Sequence, residues 1–348
     1  MDGVGQASRQ HLVFGISRNG DRKFCRRRWL GLSDSDIHHA LTNTSLKLSS
    51  FAKINSFLRI LGKRPDGYHE VVTLLESISL RDEIAFELRD DDQIVLYCDD
   101  PLIPTDPTNL IIKAAVALRK QLESEPGAEI TLTKRIPAQG GLGGASSNAA
   151  MTLLALNALW KGGRRADQLW QIGRGLGADV PFFLVGGRCL GIGTGSIVKP
   201  VHDPPKRHLI VVSPNAKVST ANAYAALNAA SLTTSESNSI LSSSLADMFS
   251  AGSGRWPLQN DFEGVIFEIE PEIERAKVAL LDAGARGALL AGSGSSVFGV
   301  FDDEVARDRA LDNLKCETGW RVFSCETVSR DEYFRAMNSS GFPLFTLS

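Results

Sequence analysis

Between residues 46 and 98, apolar positions fall into three alternating or unbroken stretches, 46–61, 71–88 and 94–98, divided by a Pro65-Asp66-Gly67 turn and by acidic Asp90 to Asp92. Period-two and continuous apolar runs bounded by turn residues predict strands. The pattern then changes: Ile111, Ala114, Ala115, Leu118 and Leu122 recur at helical spacing behind Thr108 or Asn109 as cap. Ile130, Leu132 and Lys134 alternate as in a strand, and Met151, Leu153, Leu154, Leu156 and Leu159 form the buried side of a helix. A helix near 167–176 and strands at 188–192 and 197–201 follow. Beyond two prolines at 202–206 the pattern predicts a strand at 208–213, a helix at 219–227, a Ser/Thr-rich loop at 231–244 and a helix at 273–281. Strands at 288–291 and 297–301, a helix at 304–314 and a strand at 321–325 complete it. Helices on largely antiparallel strands imply an α+β fold. The expected divisions are an extension over 1–45, one domain over 46–202, a second over 207–335 and a tail over 336–348.

Composition narrows the function classes. The 38 basic and 40 acidic side chains nearly balance, so the chain lacks the charge footprint of a nucleic-acid or anionic-membrane binder. Cys25, Cys98, Cys189, Cys316 and Cys325 are odd in number, widely spaced and without a CxxC pair, which predicts reduced thiols. The longest apolar run is too short to span a bilayer. The expected location is the cytoplasm. The basic cluster Arg22, Lys23, Arg26, Arg27 and Arg28 admits a plastid transit peptide as the alternative, against which stand Asp2, Asp21, Asp34 and Asp36.

The candidate chemistry concentrates in Ile136 to Ala150, IPAQGGLGGASSNAA, where four glycines, broken by Leu142, join a predicted strand to a predicted helix. Glycine allows backbone conformations that a side chain forbids, and the free amides at a helix start attract an anion. Ser146 or Ser147 is the expected cap. A phosphate cradle is the functional reading; a tight connection is the plain one. The Walker motif is excluded because Ala145 and Ser146 follow Gly144 where Lys belongs, and the dinucleotide fingerprint fails at Ser146.

Phosphoryl transfer needs positioning, a cation and a group to orient the attacking hydroxyl. Asp179, in Gly177-Ala178-Asp179-Val180-Pro181, is the carboxylate candidate, with a helix N-cap as its structural alternative. Lys53, between apolar neighbours, is the cation candidate, or else a solvated surface lysine. Tyr68 and His69 follow the Pro-Asp-Gly turn, and Gly292-Ser293-Gly294-Ser295-Ser296 is a second small-residue turn, closing over phosphate or forming a plain hairpin.

SSFAKINSFLRILGKRPDGYHEVVTLLESISLRDEI, the glycine loop, GADVPFFLVGG and GSGSSVFGVF, in this order, resemble the GHMP kinase superfamily, over roughly residues 46–301. The AKIN and DGYH segments resemble its branch that acts on cytidine-diphosphate-linked methylerythritol. The resemblance implies a two-domain kinase, with an N-terminal domain of the ribosomal protein S5 domain 2 type and a ferredoxin-like C-terminal domain. Lys53 and Asp179 would be catalytic. Pro137, Ala138, Gln139, Gly140, Gly141, Leu142, Gly143, Gly144, Ala145, Ser146 and Ser147 would hold ATP, with Asn109 and Lys134 nearby. Asn55, Tyr68, His69 and Tyr224 would bind the acceptor, with cytosine between the two tyrosines. ATP and Mg²⁺ would serve the reaction. The implied partner is a small cytidine-diphosphate molecule, with no nucleic acid or membrane, in a monomer or homodimer. Gln139 and Ala145 replace glycines usual in the loop, Phe51 stands for a common proline, Ser56 for an apolar residue and Ser196 for an acid.

Overall fold

A computed structural model describes residues 44–123, 125–227, 258–315 and 317–338. The basic N-terminal cluster, Cys25, Cys316 and the Ser/Thr-rich loop lie outside these residues.

The first half is built on one long hairpin. Strand β1 (Ser45–Lys63) pairs antiparallel with β2 (His69–Arg89). Strands β3 (Ile94–Cys98) and β4 (Gly127–Thr133) extend the sheet from the second half of β2. Strands β5 (Arg188–Gly193) and β6 (Ile197–Pro200) extend it from the first half. Register shifts at Phe51/Ala52, Asn55/Phe57 and Ile60/Gly62 break the period along β1. Such bulges bend a strand and re-aim its side chains, and the middle one lies beside Lys53 and Asn55.

One face of this sheet carries α1 (Leu110–Arg119), α2 (Gly144–Leu159), α3 (Ala166–Leu176) and the short α4 (Val180–Phe183). Helix α2 is buried on nearly every face from Ser147 to Leu156, which explains its weak apolar periodicity. The second half forms a four-stranded antiparallel sheet from β7 (His208–Pro214), β9 (Gly287–Leu290), β10 (Val297–Phe301) and β11 (Trp320–Glu326), in the order β11-β7-β10-β9. Its helices are α5 (Thr220–Ala226), α6 (Glu263–Ile269), α7 (Pro271–Asp282) and α8 (Glu304–Leu314). The architecture is α+β, as expected.

Two segments cross from the second stretch of sequence into the first sheet's territory. The two-residue strand β8 (Gln259–Asn260) pairs parallel with Phe57 and Leu58 of β1. Helix α9 (Arg330–Asn338) buries Tyr333 beside Phe51, with ring centroids 5.2 Å apart, and its hydroxyl donates to Phe183 O at 2.8 Å. The strand is too short to show a period, and the helix is not among the elements predicted from the sequence. A third apolar cluster lies between the sheets: Ala52, Ile54, Ile78 and Leu142 meet Leu209, Val211, Leu289 and Phe298. Among the described residues no helix is long and apolar enough to cross a membrane.

Candidate active site

The glycine run joins β4 to α2, and its conformation is dictated by what surrounds it. Gly141 has φ 74°, and a Cβ there would lie 1.9 Å from the carbonyl oxygen of Ala291, so only glycine fits. Ser296 N donates to Gly140 O at 3.1 Å, bringing the second small-residue turn onto the loop. Leu142, the one side chain among the glycines, is 1 % exposed in the cluster between the sheets, while its carbonyl accepts from Lys53 N at 2.9 Å. Burying a leucine contributes about 1.5–3 kcal/mol; here that energy fixes a loop.

The helix start differs from expectation. Gly143, with φ 73°, is the N-cap, and no side chain caps it. Ser147 Oγ instead accepts from Ser50 Oγ at 2.7 Å and is fully buried. The left-handed glycine starts the helix before either serine, leaving the amides of Gly144, Ala145 and Ser146 without helical acceptors at the cleft. Gln139, with φ 57°, and Ala145 are both exposed, so neither substituted side chain is wedged into the loop's packing.

Below this cradle lies a linear chain of polar groups. Lys53 Nζ is 3.5 Å from Asp179 Oδ2 and donates to Asn55 Oδ1 at 2.6 Å; Asn55 Nδ2 donates to Thr73 Oγ1 at 2.7 Å, which donates to Phe57 O at 2.8 Å. Lys53 is only 4 % exposed, which removes the surface-lysine reading. Asp179 occupies the N-cap position of α4, yet its side chain makes no capping bond and stays about one-third exposed. Its carboxylate faces the lysine rather than the helix it precedes. Thr73 was not singled out from sequence; a lone hydroxyl in the apolar run Val71-Val72-Thr73-Leu74-Leu75 is the signal that marks it.

Asn109 and Lys134 border the cleft but are engaged elsewhere. Asn109 caps α1, accepting from Ile111 N at 2.9 Å and donating to Pro104 O at 2.6 Å. Lys134 Nζ sits 3.0 Å from the fully buried Asp82, whose Oδ1 also accepts from Arg135 N and Ile136 N at 2.7 Å each. Burial holds Lys134 below the usual lysine range, and Asp82 opposes that shift. Together these bonds fix the chain's path into the glycine loop.

The outer rim is arranged otherwise. Tyr68 is 66 % exposed. His69 stacks on Tyr224 with ring centroids 4.6 Å apart at 22°, and Phe262 meets Tyr224 edge-on at 4.9 Å. The ring facing Tyr224 is therefore His69, not Tyr68. Burial, with the charge of Asp179 adding to it, pushes the Tyr224 hydroxyl up to about 12, and burial lowers His69, with Lys63 contributing. One cleft takes in Lys53, Asn55, Asn109, Lys134, Asp179, Tyr68, His69, Tyr224 and the loop from Pro137 to Ser146. Ser147 is the expected site residue that does not reach it.

Comparison with known proteins gives the family. The model of the GHMP kinases N terminal domain matches residues 109–187, and that of the GHMP kinases C terminal matches residues 241–319. A 4-diphosphocytidyl-2-C-methyl-D-erythritol kinase of Solibacter usitatus is 40 % identical over 297 residues, covering 84 % of this chain and 92 % of its own. One of Citrifermentans bemidjiense is 38 % identical over 283 residues, 81 % of this chain and 99 % of its own. A crystal structure of 4-(cytidine 5'-diphospho)-2C-methyl-D-erythritol kinase aligns with a TM-score of 0.65 at 31 % identity, over 81 % of this chain and 99 % of that one. Homoserine kinase from Cytophaga hutchinsonii shares the fold, with a TM-score of 0.63 at 21 % identity over 83 % and 96 % of the two chains.

Proposed function

The chain belongs to the GHMP kinases, in the branch of the 4-diphosphocytidyl-2-C-methyl-D-erythritol kinases, and we propose that it transfers the γ-phosphoryl group of ATP to the 2-hydroxyl of that cytidyl compound, in the non-mevalonate route to isoprenoid precursors. The observation that carries the reading is the Asp179 carboxylate, uncapped and partly open, paired with a buried lysine beside the open amide end of α2.

The roles follow from charge and geometry. The triphosphate lies along Pro137 to Ser146, with the first-turn amides of α2 taking its negative oxygens. Gly140 and Gly141 let the loop close against the Ala291–Ser296 turn, where a Cβ would collide with Ser296 Oγ or Ala291 O. Asp179 orients the acceptor hydroxyl and takes its proton as the bond to phosphorus forms and the bond from the γ-phosphorus to the bridging oxygen of the departing ADP breaks, while the Lys53 ammonium stabilises charge growing on the attacking oxygen. Asn55, held between Lys53 and Thr73, contacts the methylerythritol hydroxyls. Asn109 and Lys134 act indirectly, by fixing α1 and the loop entrance. Mg²⁺ would accompany ATP, whose phosphate oxygens suit a hard cation, and would neutralise part of their charge.

Fold alone does not select the acceptor, since a homoserine kinase shares it. Tyr68, His69 and Tyr224 supply that selection, offering aromatic faces and a polar edge to cytosine. The deciding experiment is ATP consumption with Mg²⁺ by the full chain on the cytidyl substrate, the same compound without cytidine, and mevalonate. Turnover on the first alone is expected; preference for either of the others overturns the assignment.

A further inference from the structure

The second small-residue turn, Gly292 to Ser296, packs against Lys53, Asn55 and the glycine loop. A Cβ on Gly292 would lie 3.1 Å from Lys53 Nζ, 3.4 Å from Asn55 Oδ1 and 3.1 Å from Gly141 O, so this backbone packs directly against the lysine and the glycine loop. Ala291 O confronts Gly141, Ser296 N bonds Gly140 O, and the Ser293 hydroxyl lies 3.0 Å from that of Thr220, at the start of the helix bearing Tyr224. The turn closes on itself through Ala291 N to Ser296 O and Gly294 N to Ala291 O, both at 2.9 Å, and something outside it also holds its entrance at Gly292.

Asn260 does. It is 5 % exposed, and its Nδ2 donates to Leu290 O at 2.9 Å and to Gly292 O at 2.7 Å, while its Oδ1 accepts from Phe262 N at 3.0 Å. Both amide hydrogens thus tie the entrance of the turn, and the acceptor locks the amide's orientation. The backbone behind it is fixed by the β8 pairing to β1 and by Asp261 Oδ2, which accepts from Ile60 N at 2.8 Å. Asn260 therefore couples the strand that carries Lys53 to the turn that lies over it.

We propose that Asn260 is a positioning residue for phosphoryl transfer, setting the Gly292 turn against Lys53 and the glycine loop without touching substrate. This rests on the kinase reading above. The two functions of the amide separate cleanly in Asn260→Asp, which keeps shape and acceptor but faces two carbonyls with no donor when ionised. For the full chain, kcat on the cytidyl substrate is expected to fall about 10- to 100-fold, the scale of an ångström of misplacement at a reacting group, with KM for ATP and acceptor little changed. The deficit should shrink as pH falls, because a protonated carboxyl again donates one bond. Asn260→Ala serves as the second variant should the aspartate not fold, and shows the kcat loss without the pH recovery.

A readout independent of turnover is the rate at which a lysine-acylating reagent labels Lys53, followed by peptide mass spectrometry. The 4 % exposed amine should label several-fold faster in either variant. A folded variant with wild-type kcat, or with unchanged Lys53 labelling, overturns the proposal. If the wild-type chain fails to phosphorylate the cytidyl substrate, the kinase reading falls, and Lys53 labelling alone then decides the positioning role.

Discussion

The floor and the rim of the cleft are built on opposite terms. On the floor, Lys53 and Asn55 are 4 % and 3 % exposed, their polar atoms are paired with one another, and Gly141 fits against Ala291 with no room for a methyl group. On the rim, Tyr68 is 66 % exposed, Arg64 bridges Asp66 and Glu70 near the surface, and His69 stacks on Tyr224. The floor's polar groups are already paired with one another, whereas Tyr68 on the rim stands open to solvent. Preorganisation belongs where charge develops, since groups already oriented need no reorganisation during reaction. Selection tolerates movement, because stacking against an aromatic face needs area more than exact placement.

That contrast can be broken at several points. The largest expected effect is at the floor's open end: Asp179→Asn should lower kcat by about 10²- to 10⁴-fold while ATP affinity, measured by calorimetry, is largely kept. Near-normal turnover would remove Asp179 from the mechanism. Next, Leu142→Ala should cost about 2–5 kcal/mol of stability in denaturant unfolding and weaken ATP binding, because the same side chain fills the inter-sheet cluster and fixes the loop; loss of stability with unchanged ATP affinity would separate these functions. On the rim, Tyr224→Leu removes a stacking surface worth about 0.5–1.5 kcal/mol. It should raise KM for the cytidyl substrate up to about tenfold with kcat nearly intact; a kcat-only effect would place Tyr224 on the floor instead. The smallest effect concerns pH. Because His69 is held below its usual value of about 6.5, the unfolded chain protonates first as pH falls, and stability declines from about pH 6.5 down to the lowered value. His69→Gln should flatten that part of the stability curve measured by Tm, and an unaltered slope would show that the histidine's surroundings do not act on it.

Much of this was legible in the sequence, and what escaped has a common cause. Several strands and helices lie at or near their predicted bounds: Val297–Phe301 and Glu304–Leu314 coincide, and Ala166–Leu176 begins one residue early. The glycine loop, Lys53 and Asp179 stood out because their residue types are unusual for their local setting. Long-range contacts were not legible. The Ser147 hydroxyl accepts from Ser50, 97 residues away in the sequence. The true place of Lys134 depends on the buried Asp82, and that of Asn260 on carbonyls about 30 residues downstream. Such roles are fixed by a partner's position in space, and local pattern carries no trace of it.

The meeting of Gly141 with Ala291 also has a temporal side. A ribosome delivers the chain from its amino terminus, so the long hairpin, the glycine loop and α2 all leave the exit tunnel before residues 291–296 have been joined. Until then the loop has its sequence but lacks one wall. The cradle is finished only when the last third of the chain has been made, and the order of synthesis thereby places completion of the nucleotide site near the end of production rather than at its start.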